Sequence, residues 1–427
     1  MEMLKTIGKA WKVTEIRKKI IFTLLMLLIF RIGSNIPVPN IDRQVLAEAF
    51  GDGTGIFALF NLFSGGAFAG LTIFALSITP YITASIIMQL LTMVIPALER
   101  MAREGNEGRK KMARLTRYLT IAMALIQAIG ISVGMFRQAL ISTDFFSVAL
   151  VVLVLTAGTA FLMWLGEKIN DNGIGNGISL IIFAGIIAAL PSAIGQTWVK
   201  LQAGEISVVS IILFAIFAVV VIVGIILIQE GQRRIPVQYA KRVVGRKMYG
   251  GQATHIPLKV NQAGVIPVIF AMSLMQFPLT ITYFMNHDSG FTSWVTKWLS
   301  PVDAPGVWLY SALTIVFIVF FTFFYTTATF NPIQIADDMK ANGGFIPGIR
   351  PGRATIEYLQ RVSSRLTIVG GLFLALIATL PMIIGQFTSL NVMFGGTSLL
   401  IAVGVALDTM KQLEQQLLMR NYQGFLK

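Results

Sequence analysis

Long apolar runs recur along this chain and constrain its fold more than any other feature. Ten of them approach the roughly 20 residues that a helix needs to cross a bilayer. Charged residues make up only 13% of the chain, whereas soluble proteins carry about 25%. We therefore predict an all-α, polytopic membrane protein with ten transmembrane helices. The ten spans are placed near residues 20–37, 71–95, 115–136, 146–166, 178–196, 206–228, 263–285, 307–329, 366–386 and 392–410.

One apolar segment, from Gly55 to Leu98, is broken near its start. Residues 56–63 are apolar but too few to cross a bilayer, and Ser64, Gly65 and Gly66 then interrupt the run. Inside a membrane, irregular backbone is tolerated where it is buried in protein or lines a water-filled cavity. This stretch therefore predicts a pore with a short half-helix inside it, followed by a full span that begins at Leu71.

Lysine and arginine set the predicted orientation. With the amino terminus placed inside, 29 of the 34 basic residues fall on the inner side and 5 on the outer side. Both termini are therefore expected to be cytoplasmic. Most of this charge is explained as a determinant of topology alone.

The ten spans divide into two halves of five, so the second half enters the membrane from the opposite side. Two such halves would be related by a pseudo-two-fold axis in the membrane plane. The predicted segments are an amphipathic cytoplasmic region 1–19, a first half 20–196 that includes the half-helix at about 56–67, an external hinge loop 197–205, a second half 206–410 and a cytoplasmic tail 411–427.

Two cytoplasmic loops are longer than simple turns. Loop 229–261 has β-branched and aromatic residues around a basic tip at Val243–Lys247, which predicts an extended hairpin. Loop 331–365 has a turn-rich centre, GGFIPGIRPG, followed by an amphipathic helical stretch, ATIEYLQRVSSR. Each loop fits either a protein-docking role or a basic surface on anionic lipid headgroups.

The chain lacks the residues that most catalytic chemistry needs. It has no cysteine and two histidines, His255 and His287, both in loops. It has no phosphate-binding motif of the G-x-x-x-x-G-K-[ST] type, and its predicted spans are almost free of mid-membrane carboxylates. We therefore expect no enzyme activity, no metal site and no cofactor.

Isoleucines recur four residues apart at Ile78 and Ile82, and again at Ile182 and Ile186. Such a pair lies on one face of a helix, and a ring of these side chains could form a hydrophobic constriction. In a membrane helix, however, isoleucine more often faces lipid or a neighbouring helix.

Several long stretches, in order, carry a resemblance to a known family. They are FNLFSGGAF, ITPYITASIIMQLL, EGRKKMARLTRY, GNGISLIIFAGI, AKRVVGR, HIPLKVNQAGVIPVIF, GGFIPGIRPG and FGGTSLLIAVGVALD. Over its whole length the chain resembles SecY, the large subunit of the bacterial Sec protein-conducting channel. The resemblance implies a translocon subunit that passes unfolded secretory polypeptides across the membrane and releases hydrophobic segments sideways into the bilayer.

The resemblance also assigns roles to residues of this chain. It implies a pore ring of Ile78, Ile82, Ile182, Ile186, Ile269 and Ile401. It implies a plug that contains Ile56, Phe57, Leu59, Phe60, Asn61, Leu62, Phe63, Ser64, Gly65 and Gly66. It implies a lateral gate between spans two and seven, with Thr72, Ser85, Gln89, Gln127, Ser273 and Gln276. It implies docking points at Arg242, Arg246, Lys247 and Arg350.

The implied partners are SecE-like and SecG-like small membrane subunits, the SecA motor ATPase, the ribosome, signal sequences with their nascent chains, and anionic lipids. Two other functions stay open on the residues alone. One is an alternating-access carrier of small solutes, and the other is a scaffold whose basic loops hold partners without any pore.

Overall fold

The computed structural model is built mostly of helices, with two small sheets in its described part. It describes residues 8, 10–42, 44–46, 61, 64–204, 206–239, 242–244, 247–249, 253–282, 285, 289–300, 305–386 and 396–424. The helices are α1 Thr14–Gly33, α2 Thr79–Val94, α3 Pro96–Arg103, α4 Asn106–Ile129, α5 Phe145–Asn172, α6 Gly177–Gln202, α7 Val208–Glu230, α8 Ile266–Thr282, α9 Gly290–Trp298, α10 Gly306–Thr329, α11 Pro332–Ala341, α12 Arg353–Gly385 and α13 Gly396–Gly424.

Six helices in the described part of the chain are long and apolar enough to cross a membrane. The pair α2 and α3, bent by 106° at Ile95, brings the number to as many as seven if the pair forms one span. A described helix lies in each of the ten predicted segments. The multi-pass helical fold is therefore confirmed, and the count of ten spans stays a prediction.

The start of the second span differs from its prediction. Residues 71–78 form turns and a short bridge to Pro37, and α2 begins only at Thr79, followed by Pro80. Proline suits the first turn of a helix because it lacks the N–H that would go unpaired there. Leu71 and Ser77 have positive φ angles, which a continuous helix cannot contain. The predicted span from Leu71 is therefore too long at its first end.

The external hinge loop is also shorter than predicted. Helix α6 continues to Gln202 and α7 begins at Val208, so most of the predicted loop 197–205 is helical. In the second half, α12 begins at Arg353 within loop 331–365 and runs on into the predicted span, which confirms the predicted helical stretch ATIEYLQRVSSR.

The helices pack as two groups. The first half holds α1, α2, α4, α5 and α6, and the second half holds α7, α8, α10, α12 and α13. Close approach within each half depends on glycine: a Cβ atom at Gly158 would clash with the carbonyl oxygen of Ile73, and one at Gly396 with that of Ile377. Small residues are common where membrane helices pack closely, because they let backbones approach.

The two long loops, 229–261 and 331–365, form a three-stranded antiparallel sheet, and the first also forms a two-stranded one. Strand β1 (Gln232–Tyr239) pairs with β4 (Ala253–Lys259) and, on its other edge, with β5 (Gly344–Phe345), while β2 (Arg242–Val244) pairs with β3 (Lys247–Tyr249). The hairpin prediction for residues 229–261 is confirmed. The third strand, β5, comes from the second loop and was not predicted. Residues of both loops and of α12, including Ile235, Leu258, Ile346 and Leu359, share one apolar core.

Candidate functional site

The two halves meet along two lines of contact. Helix α2 packs against α8, and α6 packs against α13. We call these contacts the α2–α8 seam and the α6–α13 seam. Each seam joins one helix of the first half to one helix of the second half, so a passage between the halves lies between the two seams.

Six isoleucines from these four helices converge between the seams. They belong to one apolar cluster and are Ile78, Ile82, Ile182, Ile186, Ile269 and Ile401. Ile78 caps the start of α2, while Ile182, Ile186 and Ile401 are buried on α6 and α13. We refer to the six as the ring isoleucines. The four-residue spacing predicted that Ile78 lies beside Ile82 and that Ile182 lies beside Ile186. The fold brings these two pairs together with Ile269 and Ile401.

A small cavity lies among the ring isoleucines. Its volume is about 20 Å³, room for about one water molecule. Its walls include four ring isoleucines together with polar side chains of both halves, namely Ser77, Thr79, Ser273 and Gln276. The space between the ring isoleucines is therefore too small for a hydrated ion or a solute larger than water.

The predicted lateral-gate residues fall in four places: α8, α2, α4 and the turns before α2. Ser273 and Gln276 are buried on α8 beside the cavity, and the side-chain oxygen Oε1 of Gln276 has no hydrogen-bond partner among the described residues. Ser85 is half-buried and Gln89 is exposed on α2. The remaining two, Gln127 and Thr72, lie on α4 and in the turns before α2 respectively.

Thr72 is therefore not on the helix that forms the seam. Its hydroxyl donates a hydrogen bond to the carbonyl oxygen of Ala67 at 3.2 Å, and its backbone bridges to Pro37. This residue fixes the turn that leads into α2. The sequence placed it on span two because that span was predicted to begin at Leu71.

The predicted plug is described at Asn61 and from Ser64 onward. Ile56, Phe57, Leu59, Phe60, Leu62 and Phe63 lie outside the described residues. We call Asn61 and residues 64–72 the plug stretch. Its turns are held by its own side chains: Ser64 Oγ accepts from the Phe68 N–H at 2.9 Å, and Asn61 Oδ1 accepts from the Ala69 N–H at 3.0 Å.

The plug stretch contacts the ring cluster and two helices, α1 and α6. Ala67 is buried in the same apolar cluster as the ring isoleucines. Gly65 has a φ of +65°, and a Cβ atom there would lie 2.8 Å from the Cα of Gly185, beside Ile186 on α6. Arg31 Nη1 of α1 donates a hydrogen bond to the carbonyl oxygen of Gly65 at 2.9 Å. Sequence reasoning assigned Arg31 no role in the site beyond a position near the outer end of span one.

A second, larger cavity lies at the ends of α6, α8 and α13 that the charge pattern places inside. Its volume is about 340 Å³, and its lining is rich in amides. Asn261 Oδ1 and Gln229 Nε2 line it, and both atoms are buried without a hydrogen-bond partner among the described residues. Sequence analysis missed these residues, since single amides near helix ends carry no periodic signal.

The predicted docking residues lie on the two long loops, 229–261 and 331–365. Arg242 begins β2 and pairs with Tyr249, Lys247 begins β3 and pairs with Val244, and Arg246 lies outside the described residues. Arg350 is exposed in the turn before α12, and its carbonyl oxygen accepts a hydrogen bond from the Thr355 hydroxyl at 3.0 Å. Because β5 pairs with β1, the sheet brings the two loops side by side.

Comparison with known proteins gives a consistent result. The family model described as SecY matches residues 72–410. The chain is 51% identical to the protein translocase subunit SecY of Halalkalibacterium halodurans, over the whole of both chains. It shares its fold with a solved protein-conducting channel, with a TM-score of 0.68, 22% identity and coverage of 93% of this chain and 92% of the other. It is also similar to Sec61 in the canine ribosome-channel complex, with a TM-score of 0.64, 20% identity and the same coverage.

Proposed function

Because the chain belongs to the SecY family, whose members form protein-conducting channels, we propose how its described residues carry out that work. The chain is the pore-forming subunit of a bacterial translocon and a multi-pass membrane protein. One observation carries the residue-level proposal: the six ring isoleucines, from four helices and both halves, share one apolar cluster, and four of them line a cavity of only about 20 Å³.

The ring isoleucines act as the seal of the pore. A translocation pore must admit many different side chains, so fixed charges or specific hydrogen bonds in its narrowest part would hold some sequences back. Aliphatic side chains offer no such partners and can change rotamer around a passing chain. The seal is supported by the walls of the small cavity, whose described residues include no charged side chain.

The α2–α8 seam acts as the lateral gate. A hydrophobic signal sequence that binds between these helices stabilises the open seam only to the extent that it binds the open state more tightly than the closed one. The polar cavity wall at Ser273 and the unpaired Gln276 amide support this assignment. Ser85, Gln89 and Gln127 lie along the same side of the first half, while Thr72 acts through the turn that precedes α2.

Residues 56–67 act as the plug on the outer side of the ring. The contact of Ala67 with the ring cluster and of Gly65 with Gly185 supports this placement. With no chain in transit, plug and ring together keep ions out.

The basic cytoplasmic loops dock the partners that drive transport. The exposed Arg350 and the β2–β3 tip with Arg242, Arg246 and Lys247 would receive the ribosome or the SecA motor ATPase. The similarity to a Sec61 channel in a ribosome complex supports the first of these partners. The proposal includes SecE-like and SecG-like subunits on the lipid-facing helices, anionic lipids on the basic loops, and both termini on the cytoplasmic side.

Resting ion conductance tests the seal. Ile82→Gly together with Ile186→Gly removes bulk from two of the four ring helices, α2 and α6, and we expect reconstituted vesicles to leak ions in the absence of substrate. Val219→Gly on α7, whose side chain is exposed, is the matched control. An unchanged conductance in the ring variant would contradict the proposal.

The path of the substrate provides a second test. The natural chain has no cysteine, so single cysteines at Ile82 and Ile269 are unique labels. A secretory chain stalled in transit should crosslink to both. Crosslinks confined to lipid-facing positions such as Val219 would place the substrate outside the bundle and refute the channel assignment for these residues.

A further inference from the structure

A hydrogen bond ties the outer end of α1 to the plug stretch. Arg31 lies in the last turn of α1, and its Nη1 donates to the carbonyl oxygen of Gly65 at 2.9 Å. Bonds between a charged donor and a carbonyl are stronger than those between neutral groups. The acceptor belongs to the backbone, so the side chain of Arg31 alone determines whether this bond forms.

Gly65 is fixed on its opposite side by α6. Its φ is +65°, and a Cβ atom at this position would lie only 2.8 Å from the Gly185 Cα, so the site requires a residue without a Cβ atom. The peptide group of Gly65 is therefore enclosed between a guanidinium and a helix backbone. Because Gly185 precedes the ring residue Ile186, this contact also sets the height of the plug stretch relative to the ring.

The plug stretch is internally bonded and is expected to move as a unit. Ser64 and Asn61 bind backbone groups of Phe68 and Ala69, and the N–H and hydroxyl of Thr72 donate to the Ala67 carbonyl. Since these bonds lie within the stretch, they do not determine where it sits. Its position depends on contacts to other elements, and Arg31 supplies a polar one.

We propose that Arg31 is a positioning residue that latches the plug stretch in the closed pore through the Gly65 carbonyl. The inference rests on the proposed function of the plug and adds the group that retains it. An outward movement of the plug stretch must break this bond, and the guanidinium near the outer end of α1 can then be hydrated. The latch therefore stabilises the closed state against spontaneous opening without obstructing the passage itself.

The test measures exposure of the plug stretch directly. Ala67 is fully buried, and Ala67→Cys in the otherwise cysteine-free chain reports its release through labelling by a membrane-impermeant maleimide added outside. Arg31→Gln should raise the labelling rate at least roughly tenfold, the ratio expected for loss of one hydrogen bond to a charged group. Arg31→Lys should give a smaller increase, because an ammonium keeps the charge but not the planar donor fork.

Two controls separate the latch from general loosening. Arg137→Gln changes an exposed cation in a short helical turn near the same predicted face, and labelling of the Ala67→Cys thiol should stay at the starting rate. Ala128→Cys on α4 is equally buried and should stay unlabelled in the Arg31→Gln chain. Equal labelling of the Ala67→Cys thiol with and without Arg31, or a rise at both introduced thiols, would overturn the latch.

A failure of the latch can be distinguished from a failure of the proposed plug function, because thiol labelling and resting conductance are measured separately. If labelling of the Ala67→Cys thiol rises in Arg31→Gln and resting conductance rises with it, both the latch and the plug are supported. If labelling rises without added conductance, the latch is supported and the sealing role of the plug is refuted.

Discussion

The α2–α8 seam and the α6–α13 seam join the same two halves, but their chemistry differs. On the α2–α8 side, Ser273 and Gln276 are buried beside a small cavity, and Gln276 Oε1 has no partner among the described residues. At the ring, the α6–α13 seam is made of Ile182, Ile186 and Ile401, all buried.

This difference indicates which seam opens. Leaving a buried polar group unpaired costs about 1–3 kcal/mol, and separation of α2 from α8 would let the Gln276 amide find a partner. At the ring, the α6–α13 contact is made by isoleucine side chains, which have no polar group to satisfy. We infer that the halves part at α2–α8 and turn about α6–α13.

The largest expected effect comes from a covalent link between α2 and α8 that prevents the α2–α8 seam from opening. Thr79→Cys with Gln276→Cys places one thiol on each side of the small cavity, and a short bismaleimide link between them should lower translocation of a secretory precursor by at least about tenfold, equivalent to about 1.4 kcal/mol. The measurement is transport into reconstituted vesicles, before and after linking.

The matched link is across the other seam. Ser179→Cys on α6 and Val405→Cys on α13 both line the larger cavity and are reachable through it. This link should leave the translocation rate within about twofold of the rate before linking, a change of roughly 0.4 kcal/mol. Equal inhibition by the two links would show that the seams are equivalent.

A second prediction compares burial at the two seams. Ile401→Ala on α13 removes a fully buried side chain and should lower the free energy of unfolding by about 2–4 kcal/mol. Ile82→Ala on α2, where the side chain is half-buried, should cost about half as much. Thermal unfolding in one detergent measures both, and a larger loss at Ile82 would reverse the order of packing inferred for the seams.

Much of the fold follows from the sequence because the bilayer imposes a simple length and polarity rule. That rule cannot say where an apolar segment stops being helical when protein, rather than lipid, covers it. Residues 71–78 are apolar and mostly buried, yet Leu71 and Ser77 have positive φ angles and the segment forms turns. The rule says nothing about residues outside the membrane. There, amphipathic periodicity predicted the helical stretch 354–365, which is the start of α12, but no pattern indicated the two-residue strand β5.

Only part of the site could be predicted from the sequence, for a related reason. The spacing of Ile78 and Ile82 identifies a helix face, but convergence with Ile269 and Ile401 depends on how distant helices pack, and here the family resemblance supplied what periodicity could not. Neither periodicity nor the resemblance indicated the hydrogen bond from Arg31 to Gly65. Its acceptor is a backbone carbonyl, which every residue type has, so the sequence carries no signal for it.

A third, smaller effect tests the unpaired amide. Gln276→Leu replaces a buried polar group without a partner among the described residues by an apolar one of similar size, and should raise the free energy of unfolding by about 1–2 kcal/mol. The closed seam should also become harder to open, so export of a precursor with a weakly hydrophobic signal falls by roughly tenfold. Ser311→Ala on α10 is the control for export, because it removes a buried hydroxyl that also lacks a partner among the described residues but lies outside the seam. A destabilised Gln276→Leu chain would show that the amide is satisfied in the closed state.

The smallest effects are expected where ion pairs join helices within one half. Glu230 of α7 pairs with Lys411 of α13 in the second half, and Glu167 of α5 pairs with Arg117 of α4 in the first, both at 2.7 Å and partly exposed. Glu230→Gln and Glu167→Gln should each lower the free energy of unfolding by about 0.2–1 kcal/mol, and less at high salt, because ions screen exposed pairs. Neither pair spans a seam, so resting conductance and translocation should equal those of the natural chain. A change in conductance in either variant would mean that the halves deform internally during opening. That result would contradict the inference that each half is rigid and that only the α2–α8 seam opens.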